Sequence, residues 1–146
     1  MTERAAESIL VGAAPALVYS IVTDFERYPE WLGELEKIDI LARDDAGRAV
    51  EMEFRAAAFG RSTTCTLRYD YRSAPDALSW EQTAGDLTAA LSGQCRFDAT
   101  ETGTLVTCDL EVDLLLPIPT FVRSRAAARI QNQALGELKA RAEGLA

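Results

Sequence analysis

The sequence predicts an α+β fold in which a curved, seven-stranded antiparallel sheet wraps one long C-terminal helix, in the order β-α-α-β-β-β-β-β-β-α. Three observations carry this. Between Lys37 and Leu114 six successive segments alternate apolar and polar residues at period two; from Thr120 to Leu145 the pattern turns helical; and a short apolar strand with a proline-initiated helix stands ahead of both. A sheet with one apolar face must cover it, and laying the long helix across that face is the economical packing.

Taken in order, Glu7 to Val11 is a short strand. Pro15 occupies the position a helix favours for its first residue, and the run to Thr23 is apolar on one side. Asp24 and Pro29 then bracket a second helical turn carrying Phe25, Tyr28 and Trp31. In the meander, Ile38, Ile40 and Ala42 face one side of the first strand, and Val50, Met52, Phe54 and Ala56 that of the second. Cys65, Leu67, Tyr69 and Tyr71 follow, then Leu78, Trp80 and Gln82. The last two inward sets are Leu91, Gly93, Cys95 and Phe97, and Val106, Cys108, Leu110, Val112 and Leu114. None of these sets contains Asp, Glu, Lys or Arg. At about 100° per residue, Ala127, Ile130, Ala134, Leu138, Ala142 and Leu145 share one face of the final helix, with Arg123 within about 20° of Ile130.

Composition bounds the function. A chain of 146 residues with 48% apolar content supports one core, so a single domain over 1–146 is expected. No apolar run suits a signal peptide or a membrane span, which makes a cytoplasmic location the expectation. The absence of histidine removes Ser-His-Asp and Cys-His pairs and histidine-containing metal sites. A net charge of −8 speaks against a nucleic-acid partner, and no glycine-rich phosphate loop is present. No cofactor or metal is expected. Three cysteines without C-x-x-C spacing read as reduced thiols rather than a disulfide framework or zinc site. The charge is uneven: residues 121–146 hold five basic side chains against two acidic ones, a basic helix on an acidic body.

The segment from Ala14 to Trp31 resembles the opening of START-like, or helix-grip, domains. Within that superfamily it is most similar to the polyketide cyclase/dehydrase group, including its coenzyme-Q-binding branch. There a strand, a P-x-x-V-Y helix (here Pro15 to Tyr19) and a D-x-x-x-Y-P-x-W turn (here Asp24 to Trp31) follow in this order. The resemblance implies a closed pocket for an apolar small molecule such as a lipid, a quinone or a polyketide-like compound.

Two function classes follow. One is a binder or carrier of such a molecule, with no reaction. The other is a polyketide cyclase or aromatase performing aldol cyclisation and dehydration in the same pocket. Candidate lining residues are Trp31, Met52, Phe54, Leu67, Tyr69, Tyr71, Trp80, Gln82, Gly93, Cys95, Cys108 and Leu110, with Val122, Arg123, Ala127 and Ile130 from the helix. The small residues among them leave room for a ligand or let helix and sheet approach closely; sequence alone leaves both readings open. Tyr69, Tyr71 and Gln82 need partners if buried: a backbone carbonyl, water or ligand oxygen. Arg123, at the positive end of the helix dipole, needs a compensating carboxylate from the body or from a ligand. The cyclase would need a proton shuttle, for which these four are the polar contributors, and the carrier is therefore preferred. One end of the meander has apolar tips: Phe59, Ile118 and Phe121 read as the cavity mouth, with transient membrane contact set against a purely structural role for Pro117 and Pro119. The sequence does not fix the oligomeric state.

Overall fold

The computed structural model describes residues 3–58, 61–115 and 119–146. Its elements are β1 (Glu3–Val11), α1 (Pro15–Thr23), a 3-10 turn (Phe25–Glu30), β2 (Leu35–Arg43), β3 (Ala49–Ala58), β4 (Arg61–Asp70), β5 (Ala77–Gly85), β6 (Thr88–Ala99), β7 (Thr104–Leu114) and α2 (Thr120–Leu145). All seven strands pair antiparallel in one sheet, in the order β1-β7-β6-β5-β4-β3-β2. The first strand thus joins the last, and the remaining strands form the predicted meander.

Helix α1 begins where Ala14 is extended and Pro15 supplies a pre-set φ at the first helical position; it buries Val18 and Ile21 and stops at Asp24. Pro29 lies inside the following 3-10 turn, which buries Phe25 and Tyr28. Helix α2 crosses the sheet chiefly over β1. Its buried stripe runs through Ala127, Gln131, Leu135, Leu138 and Ala142, the 3- and 4-residue spacing of one helical face. That stripe is rotated from the one the apolar residues suggested: Ile130 is 42% exposed, and the polar Gln131 takes the central position.

The two ends of α2 are held differently. Near its C-terminus, Glu143 accepts a hydrogen bond from the Gly12 amide at 2.8 Å, and Glu137 accepts one from the Gly33 amide at 2.7 Å. Arg141 pairs with Glu30 at 3.0 Å. These three contacts clamp the helix to the segments on either side of α1. At the N-terminal end, Ser124 donates to Glu3 at 2.8 Å.

Two expectations are corrected here. First, β1 begins at Glu3, and Glu3 shares the buried parity of Ala5 and Val11 at 9% exposure, so the inward faces do carry a carboxylate. Alternation in β1 was masked because Glu3 and Glu7 occupy inward positions. Second, Cys95 and Cys108 form a disulfide. They lie thirteen positions apart in the chain, a spacing without a motif, but the β6–β7 register sets them directly opposite each other. Cys65 is the free thiol, and burial pushes its pKa up to about 11.

Candidate functional site

A cavity of about 240 Å³ lies between the sheet, α1 with its 3-10 turn, and the middle of α2. The α1 side contributes Val22, Tyr28, Trp31 and Leu32. Strands β4 and β5 contribute Leu67, Tyr69, Leu78 and Trp80, and β6 and β7 contribute Leu91, Cys95, Phe97, Cys108 and Leu110. Helix α2 closes the space with Ile130, Gln131, Ala134, Leu135 and Leu138. None of these side chains carries a formal charge. A larger recess of about 510 Å³ is lined by Asp44, Arg48, Asp70 and Arg72 among others, and its charges already pair: Asp70 with Arg72 at 2.6 Å and Asp44 with Arg48 at 2.8 Å. The apolar cavity is therefore the better ligand site.

One cross-strand row organises the wall. Tyr69 pairs with Trp80, Trp80 with Gly93, and Gly93 with Leu110. The Tyr69 and Trp80 rings stand 5.8 Å apart, and Phe25 meets Tyr69 edge-on at 4.7 Å. The Trp80 indole lies over Gly93: a Cβ there would come within 2.6 Å of the ring and 2.6 Å of the Asp109 carbonyl oxygen. Gly93 is thus the seat of an indole rather than open space.

Eight of the predicted lining residues do line the cavity: Trp31, Leu67, Tyr69, Trp80, Cys95, Cys108, Leu110 and Ile130. Met52 and Phe54 are instead packed in the main core. Ala127 is fully buried against Ala5, Leu110, Val112 and Leu114 in a separate cluster, so close approach prevails at the N-terminal half of α2. Val122 lies in that same half, outside the lining. Tyr71 donates to the Ala49 carbonyl at 2.5 Å beneath the Arg48 guanidinium, and Gln82 bonds with the Thr88 carbonyl at 2.8 Å; backbone partners take both away from the cavity. Arg123 has its Nε buried without a partner among the described residues. Phe121 is 63% exposed and does not reach the cavity, while Phe59 and Ile118 lie outside the described residues.

Sequence reasoning passed over Leu78, Leu91 and Phe97, although each sits on the inward parity it had identified. Gln131 carried one signal, its place four residues after Ala127 on the buried stripe. The polar tips in the cavity wall are few. The Tyr28 hydroxyl donates to the Val22 carbonyl. Gln131 is 5% exposed and donates from Nε2 to the Cys108 carbonyl at 2.5 Å. The Tyr69 hydroxyl has no hydrogen-bond partner among the described residues, and burial holds its pKa far above the usual tyrosine value, so it stays protonated. Among the described residues no cluster of three or more His, Cys, Asp or Glu side chains is placed to hold a metal ion, and no helix is long and apolar enough to cross a membrane.

The family model described as polyketide cyclase / dehydrase and lipid transport matches residues 2–143. Among solved structures, a START superfamily protein from Mycobacterium smegmatis superposes with a TM-score of 0.92 at 26% identity, covering 98% of this chain and 99% of that one. The Zhui aromatase/cyclase from a Streptomyces species gives 0.83 at 17% identity, covering 98% and 94%. The di-domain ARO/CYC BexL gives 0.78 at 20% identity over 97% of this chain and 50% of its own. The last two likenesses establish the helix-grip fold alone. No match was found among the curated proteins.

Proposed function

The chain belongs to the polyketide cyclase / dehydrase and lipid transport family, and on that premise we propose that it binds and carries a small, mostly apolar molecule in the cavity beneath α2 without transforming it. The observation that carries this reading is the chemistry of the lining. Among the described residues, eighteen side chains surround the space and none can serve as a base near neutral pH: Tyr28 is tied to a carbonyl, Tyr69 is held protonated, and the cavity cysteines are joined to each other. Aldol closure requires a proton to be taken from carbon, and a protonated phenol in an apolar wall does not take it. Binding is tested with an environment-sensitive apolar dye and the Ala134→Phe variant, which adds a ring where the helix faces the cavity. Dye binding that falls at least tenfold while the fold stays cooperative supports the reading; equal binding in both proteins counts against it.

One observation favours the enzymatic reading, the unpartnered Tyr69 hydroxyl, which suits polarising a substrate carbonyl as a neighbouring oxygen gains charge. Turnover of a model poly-β-ketone by the wild type, falling tenfold in Tyr69→Phe, would amount to about 1.4 kcal/mol of barrier and would replace the carrier with a cyclase.

A further inference from the structure

The hydrogen-bonding groups left free in the cavity wall decide what a ligand held there must offer, given the binding reading above. Most polar groups of the wall are already spent. Gln131 donates from Nε2 to the Cys108 carbonyl at 2.5 Å, and its Oε1 is buried with no surface that a ligand could reach. Tyr28 gives its proton to the Val22 carbonyl, and the two cavity cysteines are joined as a disulfide. Tyr69 differs. Its hydroxyl makes no hydrogen bond among the described residues, yet its oxygen is not one of their fully enclosed unpaired atoms, so it keeps surface that another atom can touch. That surface opens on an enclosed space: burial is what chiefly raises the Tyr69 pKa, and Phe25 and Trp80 pack against its ring on the inner side of the sheet. The apolar cavity is the space that this side chain lines there.

The indole N–H groups of Trp31 and Trp80, in the same wall, are unpaired and not fully enclosed either. An indole N–H only donates, and a phenol held protonated has a hydrogen to give. The unused capacity of the wall is therefore chiefly that of donors. A hydrocarbon that fills the cavity leaves a buried donor unpaired, a penalty worth roughly five- to a hundredfold in an equilibrium constant. A ligand that presents an acceptor to that donor avoids the penalty.

Size sets the second limit. A dry cavity of about 150 Å³ accommodates benzene, and by proportion the 240 Å³ here suits roughly ten non-hydrogen atoms. That is one or two fused rings, well short of a long isoprenoid or an extended polyketide chain.

We propose that the ligand is a compact one- or two-ring compound bearing a carbonyl oxygen, that this oxygen accepts a hydrogen bond from the Tyr69 hydroxyl, and that Tyr69 thereby selects it over hydrocarbons and donor-only N–H compounds of the same size.

The test is competition of 1-indanone, indane and indole against a bound apolar dye, using the full chain and Tyr69→Phe, which keeps the ring and removes the hydroxyl. The three competitors are close in size and offer, in turn, only an acceptor, neither group, and only a donor. Tyr69→Phe is expected to weaken 1-indanone by about fivefold or more while indane and indole keep their affinity. Infrared spectra of bound 1-indanone read the bond directly: the carbonyl stretch should lie lower in the wild type than in Tyr69→Phe. Equal losses for all three competitors, or no loss for any, overturn the assignment to Tyr69 and leave the binding reading intact. A loss for indole as large as that for 1-indanone overturns the selection of acceptors. If none of the three displaces a dye that does bind, the size assignment falls, and if the dye itself does not bind, the binding reading falls with it. Should Tyr69→Phe not fold, the carbonyl stretch of 1-indanone in the wild type is compared with that in an alkane solvent: a lower frequency in the protein supports the proposal, and an unshifted one overturns it.

Discussion

Replacing Gly93 by alanine adds one methyl group at the most crowded point of the cavity wall. The new Cβ would stand 2.6 Å from the Asp109 carbonyl oxygen and 2.6 Å from the Trp80 ring. The ring can slide, but the carbonyl belongs to the backbone of β7 and moves only with its strand. Overpacking of this kind costs about 1–3 kcal/mol, while alanine recovers about 0.5–1 kcal/mol of backbone entropy relative to glycine inside a strand. The net is a loss of about 0–2.5 kcal/mol, centred near 1, which for a chain of this size lowers Tm by a few degrees at roughly 2–4 °C per kcal/mol. Gly136→Ala is the matched control: nothing lies within 4 Å of its added Cβ, and the residue is inside α2. That variant should gain about 0.8–1 kcal/mol from helix propensity. Thermal and urea denaturation read both changes, and tryptophan emission reports whether Trp80 has shifted. Dye affinity should fall in Gly93→Ala alone, because the displaced indole has the cavity to move into. If Gly93→Ala is as stable as the wild type with unchanged emission, the indole does not rest on Gly93 and the wall is looser than described.

The buried Tyr28 and the partly buried Tyr69 should respond differently to loss of their hydroxyls. Tyr28→Phe strands the Val22 carbonyl and is expected to lose about 1–2 kcal/mol, whereas Tyr69→Phe removes a hydroxyl without a partner and should stay within about 0.5 kcal/mol of the wild type in urea. Thr104, fully buried, donates to the Ala13 carbonyl at 2.7 Å; Thr104→Val keeps the shape, leaves that carbonyl unpaired and should lose about 1–3 kcal/mol by the same assay. The Glu143 pKa is lowered from 4.5, first by its bond with Lys139 and next by the Gly12 amide. The stability from that contact is therefore complete above pH 4.5 and lost as the pH falls through the lower, folded value. In Glu143→Gln the acid limb of stability against pH should be shallower, and an unchanged limb would exclude this carboxylate as a contributor.

Most of the fold was legible because its signals are local. Pro15 and Asp24 mark both ends of α1, and the change of period after β7 marks α2 from Thr120 onward. The features that escaped depend on partners distant in sequence. The disulfide exists because a hairpin register sets Cys95 opposite Cys108, a pairing that a parity count does not single out as a bond. Gln131 reads as a solvated residue until its amide is seen bonded to the β7 backbone; only then does its place on the buried stripe make sense. Small residues were ambiguous by nature. At Ala127 and Gly93 they let neighbours close in, and at Ala134 they leave the space open. Charge misled at β1, where Glu3 faces inward and bonds with Ser124. Six strand candidates, Leu67, Tyr69, Trp80, Cys95, Cys108 and Leu110, fall in the cavity wall because strand parity is a local signal, and most of the helical ones fall elsewhere because a stripe a few tens of degrees away names a different set of residues.

The pairing of β1 with β7 has a consequence for how the chain comes to be folded. Glu3 lies opposite Val112, and Val11 opposite Thr104, so β1, made ahead of the rest of this sheet, waits for β7 before its backbone finds hydrogen-bond partners. The meander β2 to β7 can zip up through short hairpins as it emerges, but closing a loop of about a hundred residues comes late and slows folding. Until then β1 and the adjoining edge of β7 expose unpaired amides and carbonyls, the kind of edge on which nascent chains associate wrongly. Helix α2 follows β7 directly, covers β1, and clamps Gly12 and Gly33 through Glu143 and Glu137. Helix α2 therefore acts as the latch on β1, and removing residues 137–146 would release both clamps.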